Sequence, residues 1–245
     1  MTTTTRKRKT ARERQRQRQQ QMTVLIVIII MAVVGAVLVV IANIPPSAPV
    51  TVATSDVYAG IPRGVSEEGL PQLGSPDAPV VIHDYSAFNC PHCANFHDNQ
   101  FQELLGDIRS GSVRFVYVPV NLDSSTIPAS KAAFCALAQD RFWELQDTFF
   151  SWLRQFGGNA FVLSRITAGA QQLGLDMDAF NACLNDPDTA QRVTAADELF
   201  RDLIDRYSQV TGTPTLTFNG VPPEFGSGGP PMDYIRQRIA ELSGG

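Results

Sequence analysis

The sequence is short of cysteine, short of histidine and, outside its first 21 residues, short of cations. Its 245 residues hold 4 Cys and 3 His. Four cysteines are too few to staple a small scaffold, so each has to be read by position. Of the 20 Lys and Arg, eight fall in residues 1–21 (Arg6, Lys7, Arg8, Lys9, Arg12, Arg14, Arg16 and Arg18) against the single acid Glu13, leaving this tail at +7 and the remainder at −11. An acidic body without a basic stripe excludes nucleic-acid binding as the main role, because neutralising phosphates needs clustered Lys and Arg. No internal repeat is visible. With 44% hydrophobic residues, 18 Gly and 16 Pro, the chain is neither collagen-like nor globally disordered, and it is long enough for one compact domain with additions.

What is present first is a long apolar run. Thr23–Ile44 holds neither charge nor proline over 22 residues, which gives roughly 33 Å of helix, the span of a bilayer's hydrocarbon core. A cleavable signal peptide has a shorter apolar stretch of about 7–15 residues and a small-residue cleavage site, and no such site precedes the Pro45-Pro46-Ser47-Ala48-Pro49 run. The expectation is an uncleaved transmembrane helix over 23–44 behind a basic tail over 1–22. The tail is cationic and the nearest charges after the span are acidic (Asp56, Glu67, Glu68), so the positive-inside rule puts the N-terminus in the cytoplasm and residues 45–245 outside. The tail then lies beside anionic lipid headgroups, making the bilayer itself a partner.

Residues 45–69, rich in Pro, Gly, Ser and Ala, read as a linker, and residues 70–245 as the folded domain. Val80-Val81-Ile82 and Val113–Val120 are strand patterns separated by a helical stretch, Pro91–Leu105, and this spacing predicts a parallel β-α-β unit. A helical insert covers about 124–210. Leu145, Phe149, Trp152 and Leu153 fall on one helix face, as do Val193, Phe200, Leu203, Tyr207 and Val210 on a second, which starts at Asp186-Pro187 and stops at Gly212. Thr213–Asn219 reads as a third strand, Asn219-Gly220 as a turn and Met232–Leu242 as a closing helix with Ile235, Ile239 and Leu242 inward. The fold class is α/β, with helices packed on a small sheet.

Cys90-Pro91-His92-Cys93 follows the first strand directly and opens a helix, the context that makes a C-x-x-C a redox candidate. Pro91 suits the first helical position, so Cys90 falls at the N-cap, where unpaired N–H groups and the helix dipole favour thiolate over thiol. A cationic His92 adds a second stabilising charge, and such settings bring a cysteine from about 8.5 into the range of roughly 3.5–7.5. Stabilising the reduced form makes the disulfide more oxidising. The alternatives for these residues are narrower. A metal site using Cys90, Cys93 and His97 lacks a fourth ligand of suitable spacing, so no metal is expected. A c-type haem needs His directly after Cys93, where Ala94 stands. His83 and His97 read as ordinary surface or half-buried residues. Cys135 and Cys183, 48 residues apart inside helical patterns, are either two buried free thiols or, outside the cytoplasm, a structural disulfide; the disulfide is favoured. A second shuttle pair needs an exposed, activated thiol that nothing local supplies.

Four stretches carry a resemblance: Gly74-Ser75-Pro76-Asp77-Ala78-Pro79, Phe88-Asn89-Cys90-Pro91-His92-Cys93, Phe142-Trp143-Glu144 and Gly212-Thr213-Pro214-Thr215. Over roughly residues 70–243 the chain resembles the thioredoxin superfamily, and within it the membrane-anchored DsbA-type disulfide oxidoreductases. The resemblance implies a thioredoxin fold with a helical insertion. It implies a catalytic set of Cys90, Cys93, His92, Pro91 and Asp84, with Asp84 beneath the second cysteine as proton acceptor. It also implies a cis-proline loop in which Thr213 and Pro214 offer backbone groups to an extended substrate. No cofactor is implied beyond a redox-active Cys90–Cys93 disulfide. The implied partners are reduced or unfolded secreted proteins and a quinone-linked membrane protein that reoxidises the site. The reading is an extracytoplasmic oxidase; its alternatives are a reductase or isomerase of the same fold, or, in a different class, an extracytoplasmic metal or peptide carrier.

Overall fold

The structure, a computed structural model, describes residues 11–43, 52, 56–224 and 229–244, with side chains described from residue 15 and not over 36–43. Arg6, Lys7, Arg8 and Lys9 of the basic tail, and the Pro45–Pro49 run, lie outside the described residues. The chain forms two compact units, Met1–Ala48 and Pro49–Gly245.

The first unit carries α1 (Ala11–Asn43). Arg and Gln are good helix formers, so the helix starts well before the apolar run. Its described stretch Gln15–Gly35 is long and apolar enough to cross a membrane by length and composition.

The second unit is built on five strands: β1 (Arg63–Val65), β2 (Pro71–Leu73), β3 (Val80–Ser86), β4 (Val113–Pro119) and β5 (Thr215–Phe218), in the order β1-β2-β4-β3-β5. β3 and β4 are parallel, in a register that sets Val80 against Val113 and Asp84 against Tyr117; every other pairing is antiparallel. The connection between β3 and β4 is α2 (Pro91–Asp98) and α3 (Gln100–Ser110). The single helix expected over Pro91–Leu105 is broken at Asn99, whose backbone departs to φ −119° and ψ −79° and whose side chain donates to the Asn95 carbonyl at 2.8 Å. Between β4 and β5 come α4 (Ile127–Leu137), α5 (Phe142–Phe156), α6 (Leu163–Gln172), α7 (Met177–Asn185) and α8 (Pro187–Arg206), and α9 (Met232–Leu242) closes the unit.

Alternation along β4 divides the core between the two sheet faces. Val113, Phe115 and Tyr117 pack with Phe101, Trp143, Phe149 and Phe150 on one side. Val116 and Val118 pack with Phe134, Val193, Phe200 and Leu203 on the other. Cys135 on α4 and Cys183 on α7 are disulfide-bonded, with Cα atoms 5.7 Å apart, so they are not the free thiols of the alternative reading.

Several sequence expectations need correction. The stretch 45–69 is not wholly a linker. Tyr58 is 1% exposed and donates to both carboxylate oxygens of Asp147, at 2.9 and 2.8 Å, and Arg63 in β1 pairs with Glu144 at 2.9 Å. β1 and β2 are three residues each and carry Gly or Pro, too short for a period-2 pattern to register. α8 has the expected N-cap, with Asp186 accepting from the Asp188 N–H, but it ends at Arg206, six residues before Gly212. Tyr207 and Val210 still join the core from the following loop. Leu153 and Leu242 are half-buried rather than inward.

Candidate active site

Three segments converge on the cysteines: the end of β3, the start of α2 and the loop before β5. Gly74, in the turn before β3, has φ +103°, and a Cβ there would meet the Val113 carbonyl oxygen at 2.5 Å. Only glycine lets this turn lie against β4. After β3, Phe88 anchors the loop by packing edge-on to Phe149 and stacking on Tyr117, and Asn89 donates to Asp123 at 2.9 Å. Pro91 at the first helical position leaves Cys90 as the N-cap, its sulfur accepting from the Cys93 N–H at 3.4 Å. The Thr213–Pro214 peptide bond is cis, and the Cys90 thiol donates to the Thr213 carbonyl at 3.3 Å.

The two thiols are unequal. Cys90 is brought down to about 5, chiefly because the Cys93 thiol donates to its sulfur, with further help from Thr213 and the backbone N–H groups of Cys93 and His92, against an opposing contribution from burial. Cys93, with no exposed surface, is pushed well above the ordinary thiol value, first by burial, then by its hydrogen bond to the Cys90 sulfur and by the charges of Cys90 and Asp84. An electron-rich sulfur thus stands at the helix start with a protonated one sealed behind it. His92 and Pro91 are exposed. His92 was expected to act through imidazole charge; the structure gives it a part in lowering Cys90 through its backbone N–H.

Asp84 lies fully buried on β3. It accepts from Ser86 Oγ at 2.5 Å, and its other oxygen is 2.8 Å from His97 Nε2. His97 is therefore no surface or half-buried residue: it is 2% exposed and also meets Gln146 of α5, Nδ1 to Nε2, at 2.6 Å. His83 is half-buried on β3, and burial lowers its imidazole. Sequence reasoning missed His97 and Gln146 as neighbours of the site. The available signal was that His97 lies four residues after Cys93 on the same helix, one turn further along the same face. Among the described residues, no group of three or more His, Cys, Asp or Glu is placed to hold a metal.

A dithiol at a helix start, facing a cis-proline loop in a thioredoxin fold with an all-helical insert, defines the DsbA-like class of the thioredoxin superfamily. A family model described as Thioredoxin matches residues 66–224, and the chain belongs to that family. It is 33% identical over 150 residues, 60% of its own length, to Na(+)/H(+) antiporter NhaA 3 of Salinispora tropica, of which it spans 21%. It is 33% identical over 100 residues, 40% of its length, to Disulfide bond formation protein D of Bacillus subtilis, of which it spans 41%. The crystal structure of alpha-DsbA1 from Wolbachia pipientis is similar in fold, with a TM-score of 0.61 at 22% identity, covering 74% of this chain and 94% of that one. The chain thus spans less than half the length of both curated relatives named here.

Proposed function

We propose that this chain is a membrane-anchored thiol–disulfide oxidoreductase acting as an oxidase, which introduces disulfides into secreted or surface proteins outside the cytoplasm. The observation that carries this reading is the inequality of the cysteines, with Cys90 lowered to about 5 and Cys93 raised. A stabilised Cys90 thiolate is a good leaving group, and stabilising the reduced form favours handing the disulfide on. A substrate thiolate attacks Cys90 of the Cys90–Cys93 disulfide and expels the Cys93 sulfur. A second substrate thiolate then attacks the substrate's own sulfur in the mixed disulfide and releases Cys90 as thiolate. Thr213 and Pro214 bind the extended substrate, and Asp84 exchanges the proton of Cys93. A quinone-linked membrane partner restores the disulfide. The apolar helix anchors the protein, and the +7 tail holds the N-terminus in the cytoplasm. Disulfide bond formation protein D, by its name, supports this choice of chemistry.

The test is oxidation of a reduced, unfolded protein by the full chain in detergent with a disulfide oxidant in excess. Wild type should oxidise it catalytically. Cys90→Ser should abolish turnover, and Cys93→Ser should accumulate mixed disulfides on Cys90. Reduction or reshuffling of a disulfide substrate without net oxidation would favour the reductase or isomerase reading, and inertness toward both substrates would favour a carrier.

A further inference from the structure

Cys93 and Asp84 both have no exposed surface, so a proton that leaves or reaches the Cys93 sulfur needs a holder inside the protein. The arrangement behind Asp84 suits that task. His97 Nε2 faces Asp84, its Nδ1 faces the Gln146 amide nitrogen, and Gln146 Oε1 is buried without a hydrogen-bond partner. Such an amide serves an imidazole in two orientations: it donates N–H to a bare Nδ1, or, turned over, accepts from Nδ1–H through Oε1. The two orientations match two proton counts. With Nδ1 bare, the ring proton sits on Nε2 and donates to the Asp84 carboxylate, and the pair is empty. With Nδ1–H against Oε1, one more proton lies along the Nε2–Oδ2 bond, shared between carboxylate and imidazole.

We propose that His97 and Gln146, bridged to the site by Asp84, store one proton for Cys93: the store is empty when the cysteines are thiols and loaded when they are joined. The inference rests on the thiol–disulfide exchange reading. When a substrate thiolate attacks Cys90, the substrate–Cys90 S–S bond forms and the Cys90–Cys93 bond breaks. The electron pair leaves on Cys93, which takes the stored proton through Asp84, and Gln146 turns its N–H to the bared Nδ1. Reoxidation by a disulfide oxidant returns that proton as the Cys93 sulfur gives up its electrons. His97 is a positioning residue in this scheme, since it acts on the reacting sulfur through Asp84. The other ionisable groups around it are Tyr117 on β4, with rings 5.6 Å apart, Asp147 on α5, and Asp98 on its own helix paired to Arg154 of α5. Tyr58, the ionisable group in the turn before β1, is committed to Asp147.

The test is the equilibrium of the full chain in detergent with glutathione across about pH 6.5–8, read by alkylation and mass spectrometry of Cys90 and Cys93. Across this window Cys90 is thiolate, and the slope is read from pH 7 upward, where Asp147, with a value of about 6, is about nine-tenths or more ionised. Reducing the disulfide to a Cys90 thiolate and a Cys93 thiol consumes one proton, and a store supplies it without drawing on bulk solvent. After subtracting the two protons that glutathione itself exchanges, the wild-type equilibrium constant should not vary with pH. In His97→Gln and in Asp84→Asn it should change tenfold per pH unit, about 30 mV for two electrons. A merely structural role for His97 would shift the constant equally at every pH and leave the slope flat. A flat slope in His97→Gln overturns the proposal, and so does a tenfold slope in wild type, which requires no variant to fold. Failure of the exchange reading itself looks different: Cys90 and Cys93 would not equilibrate with glutathione as a pair.

Discussion

Titration of Cys90 is the perturbation whose size follows most directly from the structure. With a value of about 5, Cys90 is roughly 99% thiolate at pH 7, whereas an ordinary cysteine at about 8.5 is roughly 3% thiolate. The reduced form therefore gains about a hundredfold in equilibrium constant at pH 7, two tenfold steps, or about 60 mV toward oxidising power. The sign follows from linkage. A depressed folded value contributes stability to the reduced protein that is fully present above about 8.5 and lost as pH falls through about 5, while the disulfide form has no such titration. The assay is the alkylation rate of Cys90 against pH, followed by mass spectrometry, in wild type and Cys93→Ala. Wild type should show a midpoint near 5. Removing the Cys93 thiol takes away the largest cause of the depression, so the midpoint should rise in Cys93→Ala. A wild-type midpoint near 8.5, or Cys93 reacting first, would refute the reasoning.

The disulfide should be structural: replacing Cys135 and Cys183 together by Ala should cost about 4 kcal/mol in the chain-entropy picture, seen as a lower melting temperature, with exchange turnover retained. Loss of turnover in a folded double variant would instead make them a second redox pair. Tyr58→Phe should destabilise the domain by about 1.5–3 kcal/mol once Asp147 is charged, and by less when it is protonated. Burial holds Asp147 at about 6, above its unfolded value, and the Tyr58 hydrogen bond opposes that rise. Asp147 therefore favours the fold most below about 3.9, an advantage lost as pH rises through about 6. Losing the hydroxyl should deepen that loss in urea melts compared at pH 5 and pH 8, and an equal cost at both pH values would contradict it. Gly74→Ala should cost about 1–3 kcal/mol or more in urea unfolding, from positive φ and the clash with the Val113 carbonyl; an unchanged midpoint would show that the turn yields freely.

The parallel β3–β4 pair and α9 were legible because buried runs and a 3.6-residue stripe repeat over enough residues to be seen. Cys90 was legible as an N-cap because Pro91 fixes where the helix begins. Other features depend on contacts between distant residues and leave no local trace. Tyr58 gives no periodic signal, and its place in the core rests on Asp147, 89 residues away. β2 is a strand because β4 offers it an edge, and β1 because β2 in turn offers one. His97 joins Asp84 only once β3 and α2 pack, so its sequence neighbours mark it as unremarkable. Thr213 and Pro214 entered through the resemblance alone, since the chain fold, and not spacing, brings residue 213 to residue 90.

The central claim, that the site donates disulfides, is tested most directly by the equilibrium potential of the full chain against glutathione at pH 7. The account predicts a value above the glutathione couple, with Cys90 and Cys93 reduced together by a modest excess of glutathione. A value near that of thioredoxin, about −270 mV, would contradict it and make the protein a reductase.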